Sequence, residues 1–296
     1  MNQHSVIIGA GGRLGGALRS ACEPSHPVTA LGRQEMDLTD QRAIKKVLEP
    51  LDYDKLWLTA ALTNVDYCET HAEETTQVNS EAVKTIAQIS AEKGAQVILF
   101  STDYVFDGKK GAPYVEDDAT HPLNIYGQSK QQAEKHLLAA SNQHLVIRLS
   151  WLFGNNKPGF PEWVIRQAME KDSLSIVSDR QSCPTYTGDL IDALQPLILG
   201  EMKMSGILHL CNQGVCTWQE WGQYCLDCAA ENGIPLQIDQ IQSCLMSDIN
   251  SFAAQRPSFS AMSTTRFESL GGQAMPDWKQ GVSRYIREHL AAQFTN

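Results

Sequence analysis

The sequence predicts an α/β chain: a doubly wound, mostly parallel sheet with helices on both faces and a smaller C-terminal α/β lobe. Three observations predict it. The chain opens with a short β-rich run, Ser5-Val6-Ile7-Ile8, that passes through a glycine-rich turn into a helical stretch. Short apolar runs then alternate with helical patterns, which parallel strands joined by helical crossovers require. One of these runs, Gln96-Val97-Ile98-Leu99-Phe100, ends in hydroxyl residues, and strand ends of that kind face the crevice where open α/β sheets bind ligands.

The elements follow in order. After the first strand comes Gly9-Ala10-Gly11-Gly12-Arg13-Leu14-Gly15-Gly16. In its Gly-x-x-Gly-x-x-Gly spacing, Gly9 permits a tight turn, Gly12 lets backbone approach a pyrophosphate, and Gly15 allows close helix–strand packing. The helix that starts with Arg13 and Leu14 offers free N–H groups to phosphate oxygens. A strand before and a helix after make this a Rossmann-type dinucleotide site, the alternative being a glycine turn without a ligand. Pro27–Leu31 is the second strand. Its end, Leu31-Gly32-Arg33, lacks the acidic residue that would hold a ribose 2′-OH. Arg33 is placed to accept a 2′-phosphate, so NADPH is the expected cofactor, with NADH possible and a solvent-facing arginine the alternative. Asp40 reads as the N-cap of a helix from Gln41 to Leu48. Lys55–Leu58 is the third strand, and Ala60, Ala61, Leu62 and Thr63 beyond it let a cofactor's phosphate–ribose portion pass close to backbone. Thr75–Lys93 reads as a long amphipathic helix stopped by Gly94.

Thr102 follows the fourth strand, and Tyr126 and Lys130 are four residues apart. With a helix from Gly127 onward, the last two share one face of its first turn. An ammonium beside a phenol favours the phenolate and lowers its pKa from near 10. Thr102, Tyr126 and Lys130 together supply a hydroxyl pair for a carbonyl oxygen and a cation to tune it. Pro113 and Pro122 punctuate a loop expected to close near the substrate.

With Ser101-Thr102-Asp103-Tyr104-Val105-Phe106-Asp107-Gly108, Tyr126-x-x-x-Lys130 and Arg148-Leu149-Ser150-Trp151, the chain resembles the extended short-chain dehydrogenase/reductases, and within them the dTDP-4-dehydrorhamnose reductases. The resemblance runs nearly end to end. It implies that Asp37 and Leu38 sit by the adenine, that Asp103 contacts substrate and tunes the site, and that Trp151 and Arg256 contact substrate, Arg256 at its diphosphate. Related 4,6-dehydratases carry Asp-Glu after the threonine. Tyr104 stands in place of that glutamate here, so elimination lacks its base and simple carbonyl reduction is expected. Two stretches depart from the family pattern. Asp179-Arg180-Gln181-Ser182-Cys183-Pro184-Thr185 has Ser182 where the pattern has glycine, and Arg256-Pro257-Ser258-Phe259-Ser260-Ala261-Met262 has Phe259 where it has asparagine.

The implied substrate is a nucleotide-linked 6-deoxysugar, dTDP-4-dehydro-L-rhamnose or a close relative. Two alternatives stay open: a non-catalytic NADP-binding subunit, like the β subunit of methionine adenosyltransferase, and a nucleotide-sugar epimerase. Residues 1–150 are read as the dinucleotide-binding core. Residues 151–296 are read as mainly the substrate lobe, with segments returning to the core sheet; Gly206–Leu210 is assigned to a strand of that lobe. The formal net charge of −10 over 296 residues argues against a nucleic-acid partner. No apolar run approaches a bilayer span. Eight cysteines lack framework or zinc spacing, with Cys225-x-x-Cys228 the sole close pair and no metal expected. A cytoplasmic enzyme, possibly a homodimer, is the expectation.

Overall fold

The computed structural model describes residues 3–249 and 251–294. Among them, the central sheet has six strands: β1 (Ser5–Ile8), β2 (Val28–Leu31), β3 (Lys55–Leu58), β4 (Gln96–Thr102), β5 (Leu145–Leu149) and an edge strand, Gly206–His209. All neighbours are parallel, in the order edge strand, β5, β4, β3, β1, β2. Every residue of β1, β3 and β5 is buried, which is why these strands read as nearly unbroken apolar runs. Alternate residues feed two layers. Val6, Ile8, Leu56, Leu58 and Leu99 pack with Ile44, Ile86 and Leu137 of the helices on one face. Ile7, Trp57, Ile98 and Ile147 pack with Leu14, Leu18, Leu190 and Leu194 of the helices on the other. Strand order reverses at β1, between β2 and β3, and a ligand crevice is expected outside the strand ends at that switch point.

The edge strand corrects the reading of Gly206–Leu210 as part of the second lobe. It pairs with β5 from Gly206 against Leu145 to His209 against Arg148, and Leu208 lies in the layer of Ile98 and Ile147. The crossover through helix Thr187–Ile198, which packs beside helix Arg13–Cys22, brings the chain back. Nothing local in a four-residue apolar run distinguishes the two sheets.

A third apolar cluster forms the C-terminal lobe, where Phe153, Ile165, Ile176, Trp221, Cys225 and Ile286 meet. Its helices begin where side chains can cap them. Thr217 Oγ1 accepts from Glu220 N at 3.0 Å while Glu220 accepts from Thr217 N at 2.7 Å, opening helix Trp218–Glu231. Asp277 caps helix Trp278–Tyr285 by accepting from Lys279 N at 2.9 Å.

The helix expected over Thr75–Lys93 is interrupted. It runs Ala72–Thr76, then a π-helical turn Gln77–Glu81, then Ala82–Glu92, with Gly94 at φ +70° ending it. At the start of the Pro113–Pro122 loop, Tyr114 stacks on Phe106 at 4.0 Å and bridges Met262. Phe259, where the family pattern has asparagine, packs against the apolar cluster of Tyr114, Cys183, Cys211 and Ala261. Among the described residues no helix is long and apolar enough to cross a membrane, and no cluster of three or more His, Cys, Asp or Glu could hold a metal ion.

Candidate active site

A crevice of about 760 Å³ opens at the strand ends and collects residues scattered over the first half of the chain. Gly9, at φ +91°, turns the chain out of β1. A Cβ on Gly15 would stand 2.1 Å from Gly9 O, so only glycine lets the helix start this close to the turn. Gly12 caps that helix without a side chain, which leaves first-turn N–H groups facing the crevice for an anion. Arg33, Asp37 and Leu38 line its far end, and Ala61, Leu62 and Thr63 line the wall beyond β3. Arg33 is exposed. Asp37 is held below the usual carboxylate range, first by N–H and hydroxyl donation from Thr39 and then by nearby Arg33. Leu38 is buried against the core.

The backbone of Arg13 belongs to this site, but its side chain turns away. Its guanidinium donates to the carbonyls of Leu152, Gly154, Lys157 and Pro158 at 2.8–3.2 Å, tying the glycine turn to the start of the C-terminal lobe.

Thr102, Tyr126 and Lys130 meet on the opposite wall. Thr102 is the last residue of β4. Asn124 caps helix Ile125–Ala140 by accepting from Gly127 N at 2.8 Å, so the helix starts two residues before Gly127 and carries Tyr126 in its first turn. Tyr126 keeps part of its surface open to the crevice while its hydroxyl lies deep. That depth opposes the lowering expected from Lys130. Burial raises the phenol above its ordinary value, and a hydrogen bond with Thr102 opposes this only in part. Lys130, 2 % exposed, is itself pushed down to about 8 by burial, with Glu134 one helical turn on pulling the other way. Burial thus favours the neutral form of both the phenol and the amine.

Asp103, expected to touch substrate, lines the crevice but is only 2 % exposed. Its carboxylate accepts from the hydroxyls of Thr102 at 3.2 Å, Ser182 at 3.1 Å and Ser260 at 2.5 Å. Burial raises it to about 6 against the pull of these donors. Arg256, expected at a diphosphate, is held by protein groups. Its guanidinium pairs with Asp66 at 2.6 Å and lies 3.9 Å over the Phe252 ring, outside the residues lining the crevice.

Trp151 stands between the crevice and a second cavity of about 530 Å³. That cavity is walled by Tyr104, Trp151, Phe160, Trp218, Trp221 and Phe252. Trp151 adopts φ +41°, a left-handed conformation costly for a bulky residue, and stacks on Trp221 at 5.7 Å with planes 11° apart. Tyr104 closes the cavity toward the reactive phenol, its ring edge-on to Tyr126 at 6.0 Å.

Two supporting residues escaped the sequence reading. Asn79, on the π-helical turn, accepts from Leu62 N at 2.8 Å and donates to Leu62 O at 2.9 Å and Ser129 Oγ at 3.1 Å. It thereby fixes the wall at Leu62 against the helix of Lys130, and π-turns often mark such sites. Glu134 accepts from Arg148 at 2.7 and 3.0 Å and from Ser101 at 2.5 Å. The available signal was an Asn and a Glu on the apolar faces of two helices.

A family model described as the RmlD substrate binding domain matches residues 3–291. The spore coat polysaccharide biosynthesis protein SpsK of Bacillus subtilis is 32% identical, over 97% of this chain and 98% of its own. The dTDP-4-dehydrorhamnose reductase of Escherichia coli is 30% identical, over 96% of this chain and 97% of its own. Among solved structures, a dTDP-4-dehydrorhamnose reductase from Bacillus anthracis in complex with NADP superposes with a TM-score of 0.90 at 28% identity, covering 97% of this chain and 100% of that one.

Proposed function

The chain belongs to the dTDP-4-dehydrorhamnose reductase family, and from that premise we propose that it reduces the 4-keto group of a dTDP-linked 6-deoxysugar with NADPH. The substrate is dTDP-4-dehydro-L-rhamnose or a close relative. The observation that carries this reading is the convergence of Thr102, Tyr126 and Lys130 on the same crevice as the uncapped helix after Gly12.

The residues present fit a dinucleotide. First-turn N–H groups at Arg13 and Leu14 would hold the pyrophosphate, and Gly9, Gly12 and Gly15 give it room. Arg33 would take the 2′-phosphate, with Asp37 and Leu38 at the adenine and Ala61–Thr63 along the ribose. NADPH, when bound, supplies the hydride. Tyr126 supplies the proton to the carbonyl oxygen as it becomes an alkoxide, and burial keeps the phenol protonated until then. Lys130 fixes the ribose beside it and stabilises the phenolate left behind. Tyr104 offers no second carboxyl group for elimination, so the outcome is reduction. The aromatic cavity beyond Trp151 suits the flat, apolar faces of the nucleotide sugar. All eight cysteines are unpaired thiols, in keeping with action in the cytoplasm.

The test is NADPH oxidation with dTDP-4-dehydro-L-rhamnose, the product identified by mass spectrometry. One NADPH consumed per dTDP-L-rhamnose formed is the expected result. Tight NADPH binding without turnover on any dTDP-keto sugar contradicts the reading, as does product formed without NADPH consumption.

A further inference from the structure

We propose that Ser182 and Ser260 are positioning residues for the reduction: they hold the Asp103 carboxylate, which in turn fixes the Thr102 hydroxyl beside Tyr126. The proposal rests on the reductase reading and adds to it a role for two serines outside the proton-donating pair.

The geometry is closed on all sides. Thr102 donates to Asp103 Oδ1, and Ser182 and Ser260 both donate to Oδ2. Asp103, Ser182 and Ser260 are each at most 2 % exposed, and Thr102 is 5 % exposed. An ionised carboxylate only accepts, and a hydroxyl has one proton to give. Thr102 also accepts from Tyr104 N at 3.2 Å, and its hydroxyl lies close enough to Tyr126 to pull the phenol's pKa down. The two serines come from segments that hold each other: Gln181 N donates to Ser258 O at 2.9 Å and Ser260 N to Gln181 O at 2.8 Å. They bring the C-terminal half of the chain onto the end of β4.

This arrangement has a consequence during turnover. When Tyr126 has given its proton to the sugar oxygen, the Thr102 hydroxyl can rotate from Asp103 to the phenolate, with no net proton transfer. Asp103 then keeps two donors and stays ionised. Without the serines it would be left bare in a dry pocket, a costly state for a carboxylate. Ser182 stands where the family pattern has glycine.

The groups that face Asp103 are Tyr104 beside it, Tyr126 on the helix above, and the thiol of Cys211, which in turn contacts Cys183. Beyond Tyr104 lies the Arg256–Asp66 pair. Tyr104, Tyr126 and Cys211 are all raised by burial or by thiol contact and stay neutral through the acid range. The influences that hold Asp103 down are hydroxyl and backbone hydrogen bonds, against burial that raises it to about 6. Removing a donor raises it further, so a variant needs a higher pH to ionise it.

The test is the pH profile of kcat/KM for Ser260→Ala and Ser182→Gly, with Ser260→Thr as the hydroxyl-keeping control. We expect the acid limb to move up by about one pH unit in Ser260→Ala, less in Ser182→Gly, and to return in Ser260→Thr. A loss of activity that is equal at every pH, or no change, overturns the proposal. The second measurement is the infrared titration of the Asp103 carboxyl in wild type and Ser260→Ala, assigned with Asp103→Asn. It should move upward in the variant. An unmoved titration overturns the grip whatever the turnover, whereas a moved titration in an enzyme that reduces no keto sugar sinks the reductase reading alone.

Discussion

Replacing Lys130 by methionine should make the ligand-free protein more stable while abolishing its chemistry. Burial pushes the ammonium down to about 8 from an ordinary value of 10.5. A lysine so depressed binds its proton less readily folded than unfolded, so between about pH 8 and 10.5 stability rises with pH. Below about pH 8 the full cost of a buried charge is present, and above about 10.5 it has gone. The interval sets a ceiling of roughly 3 kcal/mol at neutral pH, and relaxation of the site brings this to about 1–3 kcal/mol. Methionine keeps the length of the stem and removes the charge. Glu134 remains satisfied by Arg148 and Ser101. Denaturant unfolding of both proteins at pH 7 and pH 10.5 measures the difference. Lys130→Met should be the more stable at pH 7, and the gap should close by pH 10.5. A variant less stable than wild type by the same amount at both pH values would show that the ammonium is well paired, and the reasoning would fail.

Arg33→Ser should raise the KM for NADPH by about 10- to 100-fold, the cost of a charge-assisted contact to a 2′-phosphate, and leave the KM for NADH nearly unchanged; steady-state kinetics with both cofactors checks it. Glu134→Leu should strand the Arg148 guanidinium, 2.7 Å from its partner and 3 % exposed at the side chain, and cost about 3–5 kcal/mol in a denaturant titration.

The parts of this molecule that were legible in the sequence are those decided locally. The glycine turn was readable because Gly9 must reach φ +91° and Gly15 has no room for a Cβ. Tyr126 and Lys130 were readable because helical spacing alone puts them on one face. What escaped was set by depth or by distant chain. For Tyr126, sequence spacing shows a neighbouring charge and not the desolvation that opposes it. Arg13 was assigned to the cofactor by its place in the glycine turn, yet its side chain answers carbonyls about 140 residues on, at 152–158. Arg256 was assigned to the diphosphate by motif, and the motif could not show its pairing with Asp66. The Gly206–His209 strand went to the wrong sheet because pairing partners of a short apolar run are fixed by the crossover before it. Asn79 and Glu134 could be suspected only as polar residues on apolar helix faces, and their partners lie on other elements.

Tyr126→Phe removes one oxygen from the crevice and leaves the ring against Tyr104. Single-turnover reduction of dTDP-4-dehydro-L-rhamnose by NADPH, with NADPH affinity measured alongside, should slow by about 10²–10⁴-fold at unchanged affinity. A phenylalanine variant that reduces the sugar at close to the wild-type rate would show that another group delivers the proton.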